Sequence, residues 1–169
     1  MKSGCLLIFL LIGLISCENK TSLYDPGSLP NVLFIFTDDL GYGDLTCYNA
    51  GSKVLTPNID KIAGEGIRFL DAHTSSAVCT PSRYSLLTGR YCWRTELKRG
   101  VHGGYDLPLI EADRMTLGNL FRKKGYRTAA IGKWHLGMEW TLKEGFNKSQ
   151  QEEETVDHRS PLKVTPVDQ

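Results

Sequence analysis

Three short stretches hold residues whose types and spacing could do chemistry. Asp38 and Asp39 stand side by side after the apolar run at residues 31–37. Two carboxylates leaving a buried strand repel each other and lose solvent unless a cation or hydrogen-bond donors compensate. A hard divalent ion with oxygen ligands, Ca²⁺ or Mg²⁺, would do so; a solvated turn or a helix cap would also accommodate the pair. The second stretch is Cys79-Thr80-Pro81-Ser82-Arg83, continued by Leu87-Thr88-Gly89-Arg90. A thiol precedes a helix opened by Pro81, whose free N–H groups form an anion site. Arg83, one turn inside, can fork two hydrogen bonds onto an anion. A buried cysteine beside a surface arginine is the plainer alternative. The third is Gly132-Lys133-Trp134-His135-Leu136-Gly137. Lys133 and His135 are two apart, so on an extended segment they face the same way, a fixed cation beside a proton carrier.

Helices and strands must bring these stretches together. Residues 31–37 (NVLFIFT) form a continuous apolar, β-branched and aromatic run, the pattern of a strand buried on both faces. Residues 67–73 and 127–132 read as further strands. Thr56 caps and Pro57 opens a helix carrying Ile59, Ile62 and Ala63, closed by Gly64 and Gly66. A second helix runs from Pro81 to near Gly89. A third, capped by Thr116, places Leu117, Leu120 and Phe121 on one face and stops at Gly125. Strands alternating with helices predict an α/β fold, a layered, largely parallel sheet flanked by helices. Ligands then sit outside the carboxyl ends of the strands, where Asp38, Asp39, Lys133 and His135 fall. Residues 147–169, with the run Glu152-Glu153-Glu154 and few apolar side chains, read as a polar loop or disordered tail.

The whole chain has 169 residues, 41% apolar and 23% charged, ordinary for a globular domain. Twenty Lys and Arg against 19 Asp and Glu give a net charge of +1, and without Lys2 the balance is neutral. No basic excess exists to bind nucleic acid by counterion release. Residues 1–17 read as an export signal: Lys2, then an apolar run at 6–15. That run falls short of the ~20 residues a membrane helix needs. Leu14-Ile15-Ser16-Cys17 resembles a bacterial lipobox, which implies acylation of Cys17 and a membrane anchor through lipid. An ordinary signal peptide with a chance cysteine is the alternative. Residues 18–30 read as a polar tether, and the expected location is the bacterial cell envelope. Beyond Cys5 and Cys17, three cysteines remain, Cys47, Cys79 and Cys92. An odd number in an exported chain leaves at least one thiol outside intramolecular pairing, and the absence of C-x-x-C spacing argues against zinc.

The stretch Cys79-Thr80-Pro81-Ser82-Arg83 with Leu87-Thr88-Gly89-Arg90 resembles the sulfatase signature, C-x-P-S-R followed by L-T-G-R. Residues 132–137 match that family's G-K-W-H-x-G, and Asp38-Asp39 fall where it keeps its first metal pair. The resemblance, from about residue 31 to 137, implies an alkaline-phosphatase-like fold over 31–146 and hydrolysis of sulfate monoesters. It implies that Cys79 is oxidised to formylglycine by a maturation enzyme, and that Asp38, Asp39 and residue 79 serve a divalent metal, Ca²⁺ rather than Mg²⁺. One hydroxyl of the hydrated aldehyde would attack sulfur, giving a covalent sulfo-enzyme. Arg83 would hold the hydrated residue and the carboxylates, and Lys133 would neutralise sulfate. His135 would take the proton from the second hydroxyl, so that the aldehyde re-forms and sulfate leaves. A serine or an unmodified cysteine has no second hydroxyl and so lacks that exit.

A sulfated small molecule or glycan is the implied substrate. His73, His102 and Trp134 read as surface or packing residues. The family takes a second metal pair, another His and another Lys from later sequence, and none is found after Gly137. The expectation is therefore an incomplete fragment, poorly stable and nearly inactive by itself. The alternatives are a phosphodiesterase or phosphonate hydrolase of the same superfamily, or a non-catalytic truncated lipoprotein.

Overall fold

The structure, a computed structural model, describes residues 28–160. The expected export signal with Cys17, the expected tether up to residue 27 and residues 161–169 lie outside the described residues. The chain divides into two compact units, Met1–Thr37 and Asp38–Gln169. In the first, residues 28–37 are irregular and exposed, and Leu33 shows 83% of its surface. The strand expected over 31–37 is therefore absent.

Asp38–Gln169 carries three helices, α1 (Pro57–Glu65), α2 (Cys79–Thr88) and α3 (Leu117–Lys123). Helix α1 starts at the expected proline, but Gly64 lies within it and Gly66 alone follows its end. Thr56 makes no capping bond. Its hydroxyl instead donates to the Asp60 carboxylate at 3.1 Å, which also receives the Thr46 hydroxyl at 2.5 Å and the Cys47 N–H at 2.8 Å. These donors, Thr46 foremost, hold the Asp60 carboxyl below its usual range despite an opposing desolvation. They tie α1 to the loop before it.

Helix α3 matches its sequence cues closely. Thr116 accepts the Asn119 N–H at 3.1 Å, and Gly125 takes a φ of 85° just past the end. Helix α2 begins at Cys79, two residues earlier than expected. Pro81 is then its third residue, a position whose missing N–H would have had no intrahelical partner anyway. Gly89 ends α2 in the left-handed conformation.

A small core gathers beneath α2, which packs on the 3₁₀ turn Cys92–Arg94 and on α3. Tyr84, Cys92, Leu109 and Leu136 are buried there, with Leu87, Leu97, Ile110 and Trp134 against them. The Tyr84 hydroxyl donates to Glu111 at 3.0 Å, and Arg90 and Arg114 reach the same carboxylate at 2.8 and 3.5 Å. Burial foremost, then Glu111, pushes the Tyr84 phenol up.

The expected layered sheet does not form among the described residues, whose β pairing is one antiparallel bridge, Leu142 with Val156. Residues 67–73 and 127–132 are irregular, with Ile67 84% and Ile131 fully exposed. An apolar run becomes a strand only when a neighbouring backbone takes up its N–H and C=O groups. Here no ladder does. The segment after residue 146 is loop up to residue 160, the first of the two forms expected for it. Lys143 N–H donates to Thr155 O at 2.9 Å and Asp157 N–H to Thr141 O at 2.8 Å, and Val156 is fully buried. A 3₁₀ turn at Lys148–Gln150 precedes this contact, and most of the segment's other side chains are exposed.

Candidate active site

The site forms where the first turn of α2 meets residues 132–138. Cys79 opens the helix, half-buried and with a free thiol. Arg83 stands one turn further on. Its Nη2 lies 3.1 Å from Asp38 Oδ1, and its Nη1 donates to the Lys133 carbonyl. Lys133 Nζ approaches Asp38 Oδ2 at 2.6 Å. One carboxylate thus gathers two cations from distant parts of the sequence.

The electrostatics follow from that geometry. The Lys133 amine and then the Arg83 guanidinium hold the Asp38 carboxyl below its ordinary value, against some desolvation. Asp38 in turn holds Lys133 above its usual range, with a smaller contribution from Cys79.

His135 takes a different course. Its φ of 57° puts a non-glycine residue in the left-handed region, and Gly132 before it has a φ of 106°. The segment is not extended, so the alternation argument that placed Lys133 and His135 on one side does not apply. Their recorded partners differ, since His135 Nε2 lies 2.8 Å from the His102 carbonyl. That carbonyl can only accept, so Nε2 carries the proton. His135 Nδ1 is buried and has no hydrogen-bond partner among the described residues.

The metal expectation fits by donor type, and the described residues hold only part of a ligand set, as the missing second pair implied. Asp38 and Asp39 offer hard oxygen, but calcium takes roughly six to eight oxygen ligands. Among the described residues no group of three or more His, Cys, Asp or Glu is placed to hold a metal ion. Both Asp38 oxygens already face cations, and Asp39, at φ 55°, is exposed. The described residues do not by themselves make a cation site.

The lesser candidates separate cleanly. His73 is exposed and pairs with Asp71 at 2.7 Å. Trp134 donates its indole N–H to Gly137 O at 2.9 Å and packs on the core. Cys47 and Cys92 are free thiols. His102 is buried, with Nδ1 3.3 Å from Asp106. The sequence reading missed Thr80, a fully buried hydroxyl between Cys79 and Pro81. It also missed the tightness around Gly137, where a Cβ would stand 2.0 Å from Leu107 O. The glycine of G-K-W-H-x-G was a visible signal of the second; nothing local distinguishes the first.

A thiol thus opens a helix whose arginine, one turn on, shares an aspartate with a lysine from a distant loop, a concentration of fixed positive charge suited to an anion. The sulfatase family model matches residues 30–164, and the chain belongs to that family. It is 48% identical over 109 residues to the N-acetylgalactosamine-6-O-sulfatase of Bacteroides thetaiotaomicron, covering 64% of this chain and 21% of that one. Against human arylsulfatase A the identity is 46% over 114 residues, again 64% of this chain and 21% of the relative. A solved structure reported with the metabolism of multiple glycosaminoglycans by B. thetaiotaomicron superposes with a TM-score of 0.61 at 45% identity, over 69% of this chain and 23% of that one. That likeness supports the alkaline-phosphatase-like fold. The chain thus spans about a fifth of the length of the curated relatives it matches.

Proposed function

We propose that the chain carries the nucleophile-bearing part of a sulfuric ester hydrolase, with Cys79 matured to formylglycine. The observation that carries this reading is the convergence on Asp38 of Lys133 and of Arg83, one turn into the helix that Cys79 opens. The hydrate of a formylglycine offers one hydroxyl to attack sulfur and a second whose deprotonation releases sulfate. Lys133, linked through Asp38 and its own carbonyl to Arg83 on the helix that residue 79 opens, draws the anionic ester oxygens. Arg83 fixes the lysine through its carbonyl and through Asp38, so the positive charge is placed before substrate arrives. His135 takes up the proton at Nδ1, the ring nitrogen left without a hydrogen. Asp38 and Asp39 would offer oxygen to a divalent ion, calcium by ligand preference, and no step here passes through it.

The substrate class that suits the comparisons is a sulfated glycan, since one relative is named for a 6-O-sulfated amino sugar and the solved neighbour for glycosaminoglycan metabolism. Export and a lipid anchor at Cys17 complete the proposal, and acyl labelling that survives Cys17→Ser would refute the anchor. The central test is coexpression of the full chain with a formylglycine-generating enzyme. Mass spectrometry should find an aldehyde at position 79, and any hydrolysis of chromogenic aryl sulfate, slow in this chain by itself, should be confined to the modified form. An unmodified thiol would overturn the proposal, as would an aryl phosphate or phosphonate cleaved in preference to the sulfate.

A further inference from the structure

Thr80 sits between the nucleophile position and the proline of the signature, and its hydroxyl is fully buried. It donates to the His135 carbonyl at 2.9 Å and accepts the His102 N–H at 3.2 Å. The His135 ring closes the circuit by donating from Nε2 to the His102 carbonyl at 2.8 Å. Three hydrogen bonds thus form a ring through one side chain of α2 and two histidines far away in sequence. The hydroxyl's single hydrogen and one of its lone pairs are both in use.

Each bond has a separate consequence for His135. The bond to its carbonyl holds the residue in a left-handed backbone that a side chain other than glycine rarely adopts. The bond to the His102 N–H anchors, from the peptide before it, the residue whose carbonyl receives the imidazole. With Nε2–H committed, the lone pair is left on Nδ1.

We infer that Thr80 is a positioning residue: its hydroxyl holds His135 in the Nε2–H tautomer by clamping the backbone of His135 and His102 together beside residue 79. This rests on the proposed roles of residue 79 and His135. The hydroxyl lies next in the chain to the nucleophile position, so the group that supplies the nucleophile also orients its proton acceptor. Serine keeps both bonds, whereas valine keeps the shape and loses both.

The test uses the full chain labelled with ¹⁵N-histidine, native and as Thr80→Ser, Thr80→Val and Thr80→Ala. Imidazole ¹⁵N shifts should place the His135 hydrogen on Nε2 in the native chain and in Thr80→Ser. In Thr80→Val the two tautomers should mix; Thr80→Ala serves if valine prevents folding. With rates referred to the aldehyde content at position 79, kcat on an aryl sulfate should fall roughly tenfold or more in the chains lacking the hydroxyl. KM should stay the same, and Thr80→Ser should restore the rate. A native Nδ1–H tautomer would overturn the inference. So would a tautomer and rate in Thr80→Val or Thr80→Ala equal to those of Thr80→Ser. If the tautomers follow this pattern while position 79 stays an unmodified thiol after coexpression with the maturation enzyme, the clamp stands and the sulfatase reading falls.

Discussion

Replacing Gly137 by alanine should open the loop that carries the site. At φ 74° the new Cβ would lie 2.0 Å from Leu107 O, 2.6 Å from Leu107 C and 2.9 Å from Asp106 O. Ordinary contact needs about 3.5 Å, so one backbone must retreat by well over an ångström, and neither neighbour is a flexible side chain. The retreat breaks the bonds from Leu109 N–H to Leu136 O, 2.9 Å, and from Met138 N–H to Asp106 O, 3.0 Å. Each is worth about 1 kcal/mol net. The left-handed backbone adds roughly 1–2 kcal/mol once a Cβ is present. The local loss is then on the order of 3–4 kcal/mol.

Gly89 is the control. Its φ is 65°, but a Cβ there would meet nothing within 4 Å. Gly89→Ala should cost only the backbone component, about 1–2 kcal/mol. Amide hydrogen exchange reads the difference where it arises. In Gly137→Ala the Leu109 and Met138 amides should exchange roughly a hundredfold faster or more, at a factor of ten per ~1.4 kcal/mol. In Gly89→Ala those two amides should keep their native protection. Equal loss of protection in both variants would show that the 2.0 Å approach is relieved at no cost, and the steric argument would fail.

Two further outcomes follow from the electrostatics and the core. Asp38 is held below its ordinary 3.8 and Lys133 above its ordinary 10.5. The stabilising contribution of Asp38 is present above the unfolded carboxyl value and lost as pH falls through the lowered folded one. That of Lys133 is full below 10.5 and lost as pH rises through the raised folded value. The gap in melting temperature between the native chain and Asp38→Asn should therefore be flat from about pH 5 to 9 and shrink on either side; a gap that persists in strong acid would contradict the pairing. Tyr84→Phe should lower stability by about 1.5 kcal/mol, because Glu111 loses a buried donor while keeping Arg90 and Arg114. Urea unfolding measures it, and an unchanged midpoint would mean that the two arginines compensate fully.

What could be read from the chain in advance was local. The cap at Thr116, Pro57 at the start of α1, and the glycines ending α2 and α3 act within a turn or two, so neighbouring residues suffice to specify them. Candidate residues for chemistry could be picked out in the same way, because residues 79–83 and 132–137 each carry theirs close together. Partners were not. Whether 67–73 or 127–132 becomes a strand depends on a backbone elsewhere, and an apolar pattern cannot report whether that backbone arrives. The meeting of Asp38 with Arg83 and Lys133 likewise spans long loops, as does the bonding of Thr80 to two distant histidines. Loop closure and packing decide those contacts, and only the folded chain carries that information.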